Sequence, residues 1–284
     1  LMSFGSKILG FGGFANREKA YDVEQSLLFD KGDAGYLIRT PGSASNRKTW
    51  TWSGWVKRAE THGSYIQTLF SADGNSDNSY ICFYLDNIYI NDYDYDGGGT
   101  KWQLTTNAKY RDYSAWYHIV FAVDTTQGTA SNRLKLYVNG EQVTSFSTET
   151  YPSEDYDGFV NSTYAHKIGS AFTGATNYTL GGYMAEVHFI DGTALTPSAF
   201  GKTDSTTGQW IPKKASVTYG TNGFYLKFVD SYPGIVAATG GTITTDGDYK
   251  VHTFNSSGTF TVTSTSGGAA ACLLYTSPSP RDRG

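Results

Sequence analysis

From Gln25 to Phe200 apolar residues recur at every second position inside short runs, and Gly, Asn, Asp, Ser and Thr fill the gaps. Successive side chains of an extended chain point to opposite faces, so this alternation predicts half-buried strands rather than helices. SLLF and GYLI come first, then TWTWSGWV, in which Trp50 and Trp52 share one face and Trp55 takes the other. SYIQTLF, SYICFYL and DNIYI follow. In WYHIVFAV, Ile119, Phe121 and Val123 align on one side.

The sharpest local signal is RLKLYVNGEQVTSF at 133–146. Asn139 and Gly140 tolerate positive φ and suit a two-residue type I′ turn. That turn sets Val138 opposite Glu141 and Leu136 opposite Val143, with Leu134, Leu136, Val138 and Val143 toward a core. In YMAEVHFI at 183–190, alternation puts Tyr183, Ala185, Val187 and Phe189 on one face and Glu186 and His188 on the other. Thr196 and Pro197 then suit the cap and first position of a short helical turn. GFYLKFV at 223–229 adds a strand that can return to the same body. Many antiparallel strands with one apolar face bury those faces by stacking, so the expected fold is all-β, a two-sheet antiparallel sandwich.

The texture changes along the chain suggest four segments. Residues 1–20 are glycine-rich without a repeating apolar period and read as a flexible leader or attachment. Residues 21–234 form the sandwich. Residues 235–266 form a partial, glycine-rich β appendix with turn candidates at Asp246-Gly247 and Ser257-Gly258, too small to hold a core alone. Residues 267–284 end in CLLYTSPSPRDRG, which resembles translated sequencing-adaptor text and is expected to be non-native. The start at Leu1-Met2 and the brevity of the appendix suggest a clipped reading frame.

Composition narrows the function classes. The 33 Gly, 22 Tyr and 16 Phe against 7 Pro agree with strands and turns. A net charge of -4 without a run of Lys or Arg argues against a nucleic-acid partner. Cys82 and Cys272 form neither a disulfide framework nor a metal spacing. No stretch approaches the roughly 18 apolar residues of a membrane-inserted helix, and no secretory signal pattern opens the chain.

The segment from about Ser26 to Phe200 resembles concanavalin A-like, laminin-G-like jelly-roll domains. The matching text is SLLFDKGDAGYL, TWSGWVKR at 51–58, WYHIVFAVD at 116–124, LKLYVNGEQV at 134–143, KIGS at 167–170 and GYMAEVHFIDGTALTPSAF at 182–200. The resemblance implies that Trp55 packs in the core, that Trp116 and His118 begin a long central strand, and that Tyr137–Gly140 is the signature hairpin. It also implies calcium at a sandwich rim, with no fixed motif to assign the ligands. MSFGSKILG at 2–10, TTGQWIPKK, NGFYLKF and the appendix resemble phage structural proteins, particularly tail fibres, and imply a place on the virion.

Chemistry concentrates at NDYDYDGGG, residues 91–99. Asp92, Asp94, Asp96 and Gly97 reproduce the D-x-D-x-D-G opening of a calcium loop. Gln103 stands where an EF-hand requires a bidentate Glu, and strands flank the segment, so an EF-hand is excluded. The two readings left are a looser Ca2+ site on the three aspartates and a solvated acidic rim; Asp30, Asp33 and Asp191 are alternative acids at turns. Tyr89, Tyr93, Tyr95, Trp102, Tyr110 and Tyr113 crowd the same region, and Tyr93, Tyr95, Trp102 and Tyr110 are the candidate sugar-stacking residues, with edge cover or a trimer contact as the alternative. Glycoside hydrolysis needs two facing carboxylates, and Glu186, the best strand-borne acid, has no second acid until Asp191. The five histidines, His62, His118, His166, His188 and His252, show no metal spacing, and nucleophile elbows and phosphate loops are absent.

The function expected from residues and resemblance together is a non-enzymatic virion module for recognition or decoration. A calcium-dependent, lectin-like glycan-binding domain is the alternative, with a polysaccharide hydrolase behind it. The expected partners are other virion proteins, a homotrimer of this chain and a host-surface glycan.

Overall fold

The computed structural model describes residues 21–23, 25–59, 65–74, 77–228, 237–246, 249–259 and 261–264. The leader, the terminal segment with Cys272, and His62 lie outside the described residues. Backbone contacts divide the chain into two units, residues 1–229 and 230–284.

The first unit opens with β1 (Leu27–Phe29), β2 (Leu37–Arg39), β3 (Thr49–Arg58) and β4 (Gln67–Gly74). A meander follows: β5 (Asp77–Tyr84), β6 (Asn87–Asp94) and β7 (Gly99–Thr106). Then come β8 (Tyr117–Asp124), β9 (Leu134–Val138), β10 (Glu141–Gln142), β11 (Phe146–Thr150) and β12 (Ala165–Ile168). The long β13 (Gly182–Asp191) precedes β14 (Gly201–Thr203), β15 (Trp210–Pro212) and β16 (Phe224–Leu226). The first sheet runs β1-β13-β3-β8-β9-β10, with β16 also paired to β13. The second runs β11-β7-β6-β5-β4-β12-β2, and every pairing is antiparallel. This is the two-sheet antiparallel sandwich that the alternation predicts, and the jelly roll that the resemblance implies.

Trp50 and Trp52 of β3 point between the sheets, where Trp50 meets Phe121 at 5.6 Å and reaches across to Phe70 of β4 at 6.4 Å. The expected inward set Ile119, Phe121 and Val123 lies in the same core. Asn139 and Gly140 have φ of +50° and +86°, and Val138 pairs with Glu141 as the turn dictates. Pro197–Ala199 forms a 3-10 turn after Thr196, whose side chain bonds Ser198 and makes no capping bond to the backbone.

Two local departures matter. Leu85 and Asp86, both at positive φ (+48° and +68°), form the two-residue turn between β5 and β6, a role that neither residue type announces. In β13 the register shifts between Ala185 and His188, and Glu186 sits at φ +49°. This bulge reverses the face of everything before it. Met184, not Tyr183 or Ala185, therefore joins Val187 and Phe189 in the core.

The two sheets differ in what covers their outer faces. Over the first sheet, Val120, Ile190 and Phe200 make a second apolar layer with Tyr137, Leu195, Val217 and Tyr219. That layer is why WYHIVFAV is apolar on both faces. Trp55 is buried, as the resemblance implies, on this outer side of the first sheet, where it stacks on His118 at 4.9 Å. Trp210 wedges into the same layer between two glycines: a Cβ at Gly140 or at Gly201 would lie 2.5 Å from its ring. Gly140→Ala should therefore destabilise by roughly 2–4 kcal/mol in chemical denaturation, adding left-handed strain to displacement of the indole. Gly128→Ala, whose Cβ meets nothing within 4 Å, is the matched control, and equal effects of the two would refute the wedge.

In the second unit β17 (Ala237–Thr239) pairs with β20 (Thr261–Ser264), and β18 (Thr242–Asp246) with β19 (Tyr249–Thr253). Gly247 of the expected Asp246-Gly247 turn lies outside the described residues.

Candidate functional site

Asp92, Asp94 and Asp96 lie on the β6–β7 hairpin, but they do not converge. Asp92 is fully buried and points into the sandwich, where its carboxylate accepts hydrogen bonds from Ser79 Oγ, Tyr156 Oη at 2.7 Å and the Phe159 amide at 3.4 Å. Burial pushes its pKa up to about 6 against the lowering effect of those three donors. Asp94 accepts from the Gly97 amide at 2.6 Å and faces Lys101 Nζ at 3.6 Å, while Asp96 stands exposed at the tip. Among the described residues no group of three or more His, Cys, Asp or Glu is arranged to hold a metal ion. The donor set does not fit Ca2+: the lone pairs a cation needs on Asp92 and Asp94 already meet protein N–H, O–H and ammonium groups. A strand that carries its first aspartate inward replaces the loop that the D-x-D-x-D spacing assumed.

The aromatic set also separates. Tyr95 is 64 % exposed and Tyr93 is half-buried. Trp102 is a core residue at 2 % exposure, 5.6 Å from Phe121. Tyr110 packs on Phe83 and edge-on to Tyr117 at 5.4 Å. The expectation that Trp102 and Tyr110 share a ligand surface with Tyr93 and Tyr95 is thus corrected: β7 alternation sends Trp102 inward with Leu104.

What the second sheet does present is a tyrosine face. The same alternation that buries Ile81 and Phe83 of β5 turns Tyr80, Cys82 and Tyr84 to the other side. Across the ladder Cys82 is opposite Tyr89 and Tyr80 is opposite Asn91; in the next pair Tyr89 faces Thr105 and Asn91 faces Gln103. The Tyr89 ring lies 5.9 Å from Tyr80 and 6.2 Å edge-on from Tyr84. These rings seal Cys82, whose thiol burial holds fully protonated, and burial likewise raises the Tyr80 phenol. Tyr84 remains 37 % exposed, and Gln103 and Thr105 are half-exposed beside it. Asn91 is 4 % exposed, and its Oδ1 has no hydrogen-bond partner among the described residues. An aromatic platform edged by half-exposed amide and hydroxyl groups suits a polar ligand with an apolar face.

Two polar clusters on the first sheet look reactive, and their geometry makes them structural. Ser53 Oγ and His118 Nε2 are 2.9 Å apart, but Trp210 Nε1 donates to His118 Nδ1 at 2.9 Å. Indole N–H is donor only, so Nδ1 is the acceptor and Nε2 carries the proton toward Ser53. This polarity is the reverse of what a general base requires. Glu186 accepts from Tyr21 Oη at 2.9 Å and Tyr225 Oη at 2.7 Å, with His188 Nε2 at 3.8 Å, so its oxygens serve to anchor that layer.

Comparison with known proteins places this geometry. The chain is similar in fold to a heptameric SAP-like pentraxin from Limulus polyphemus, at 14 % identity over 72 % of this chain and 96 % of that one, with a TM-score of 0.45. It is similar to domain 4 of AbnA, an extracellular arabinanase from Geobacillus stearothermophilus solved with arabinotriose, at 18 % identity over 57 % and 69 %, TM-score 0.41. The LG4-5 domains of the mouse laminin alpha1 chain give 12 % over 77 % and 52 %, TM-score 0.43. No curated protein matches the sequence. The laminin-G family model described as the concanavalin A-like lectin/glucanases superfamily matches residues 30–200, more than half of the chain, and the protein belongs to that family.

Proposed function

We propose that the sandwich is a non-enzymatic recognition module of a phage surface protein, carried on the virion in a tail-fibre or decoration position, which contacts host-surface glycan through the tyrosine face of the second sheet. The observation that carries this reading is the cluster of Tyr80, Tyr84 and Tyr89 on one face, with the half-exposed Gln103 and Thr105 beside it. Pyranose rings stack their C–H faces on such phenols and hydrogen-bond through their edges. The other sheet is largely covered by its second layer, which leaves the tyrosine face as the broader open one. Family membership supports a lectin-like role, and the phage-like text at 2–10 and after residue 204 supports the virion context and assembly with other virion proteins. The reading needs no calcium, because Asp92 and Asp94 are satisfied within the protein.

Immobilised bacterial lipopolysaccharides and capsular polysaccharides test it. At least one surface should retain the full chain, and joint Tyr84→Ala and Tyr89→Ala substitution should weaken retention tenfold or more, about 1.4 kcal/mol. EDTA should leave it unchanged. Retention indifferent to the tyrosine substitutions would remove this face from the function, and loss in EDTA would restore a metal-dependent one.

A further inference from the structure

The layer over the first sheet is not continuous. A cavity of about 270 Å³ opens between the chain entering β1, the outer face of β3 and β13, and β15, lined by Val23, Gln25, Trp55, Trp116, Ala185 and Pro212, with Ser26 at its edge. We propose that this cavity is a second saccharide site, independent of the tyrosine face, that takes a single neutral hexopyranose unit.

Three observations carry the assignment. The first is shape: the space lies just under the range of about 300–1,000 Å³ for sites that engulf drug-sized ligands, which suits one ring rather than a chain. The second is rigidity. Trp55 stacks on His118 at 4.9 Å and 23°, His118 stacks on Trp210 at 6.0 Å and 22°, and Trp210 is fixed by its bond to His118 and by Gly140 and Gly201. The indole that lines the cavity is therefore held in place before any ligand arrives, and little ordering entropy is lost on binding.

The third is the polar edge. Among the described residues, no hydrogen bond engages the Gln25 amide, the Ser26 hydroxyl or the Trp116 indole N–H. Together they offer donors and acceptors around two aromatic walls. An aliphatic ligand would leave those groups unpaired, and an ionic one would meet no Lys, Arg, Asp or Glu among the lining residues. A neutral sugar has the required combination of an apolar C–H face and a hydroxylated rim. The β13 bulge contributes directly, since reversal of the face before Glu186 is what brings Ala185 to the cavity floor instead of a larger side chain.

Intrinsic tryptophan fluorescence of the full chain, titrated with methyl β-glucopyranoside, methyl β-galactopyranoside and methyl α-mannopyranoside, provides the test. At least one should give a saturable change that Trp116→Ala weakens tenfold or more and Gln25→Leu weakens several-fold, both variants keeping the parent unfolding midpoint. Tyr84→Ala should leave the titration unchanged. Absence of saturable binding with all three sugars, or binding that survives Trp116→Ala, would overturn the assignment. Binding lost in Tyr84→Ala but not in Trp116→Ala would assign the sugar to the tyrosine face instead.

Discussion

Lowering the pH from 7 to 4.5 should weaken the sandwich by about 3 kcal/mol, and two buried imidazoles account for the loss. His118 Nδ1 accepts from Trp210 Nε1, and His166 Nε2 accepts from the Asn161 amide at 2.9 Å. Protonation would set N–H against N–H at both sites, in surroundings that already exclude water. Burial accordingly lowers His118 to about 3 and His166 to about 4, well below the ordinary value near 6.5. A base depressed in the folded state stays neutral there while the unfolded chain takes up a proton. Its contribution is thus complete above about pH 6.5 and is lost as pH falls toward the folded value. By pH 4.5 each imidazole has removed roughly 2–3 kcal/mol, at about 1.36 kcal/mol per unit.

Asp92 runs the other way. Its carboxyl is raised to about 6 in the fold, so its unfavourable ionisation is relieved as pH drops below that value, returning about 2 kcal/mol by pH 4.5. Urea denaturation at the two pH values measures the balance. His118→Gln, which keeps an acceptor for Trp210, should be less stable at pH 7 yet lose roughly 2–3 kcal/mol less on acidification, and Asp92→Asn should steepen the loss by about 2 kcal/mol. A wild-type stability that is flat or rising toward pH 4.5 would contradict the tautomers deduced from the hydrogen bonds.

Strand existence follows from alternation, and the Asn139-Gly140 turn follows from residue type, because only a few residues take positive φ cheaply. Leu85 and Glu186 occupy that region without being such residues, and tertiary bonds hold their surroundings there: neighbouring Asp86 to Arg58, Glu186 to Tyr21 and Tyr225. No local pattern encodes partners 28 to 165 positions away. The acidic hairpin misled for a related reason, since Asp-x-Asp-x-Asp is as much a strand alternation as a metal loop, and the donors that favour the strand, Ser79, Tyr156 and Phe159, are remote. The tyrosine face, in contrast, was available in SYICFYL and NIYI. Alternation that assigns Ile81, Phe83, Ile88 and Ile90 inward leaves Tyr80, Tyr84 and Tyr89 outside.

Arg58→Ala should lower stability by about 3–5 kcal/mol, with a fall in melting temperature near 10 °C for a unit of this size. Arg58 is fully buried at the end of β3, where its guanidinium lies 4.9 Å from the Phe83 ring. Nη1 donates to Asp86 Oδ1 at 3.0 Å and to the Tyr110 carbonyl at 2.6 Å, and Nε donates to Gln67 at 3.1 Å. One cation thus ties the first sheet to the β5–β6 turn and to the chain leading into β8. Truncation would strip the Asp86 carboxylate, at 1 % exposure, of its one fully buried cation among the described residues. Arg111 contacts the other oxygen from a side chain that is 63 % exposed, so Arg111→Ala should cost less than about 1 kcal/mol. Paired replacement by Arg58→Met and Asp86→Leu removes both charges together and should recover much of the loss, less the strain of a leucine at the φ of +68° that Asp86 holds. Thermal unfolding of the three variants separates the contributions: if Arg58→Ala and Arg111→Ala were equally mild, the pair would be a surface feature of the turn and the Leu85-Asp86 conformation would have to be held by something else.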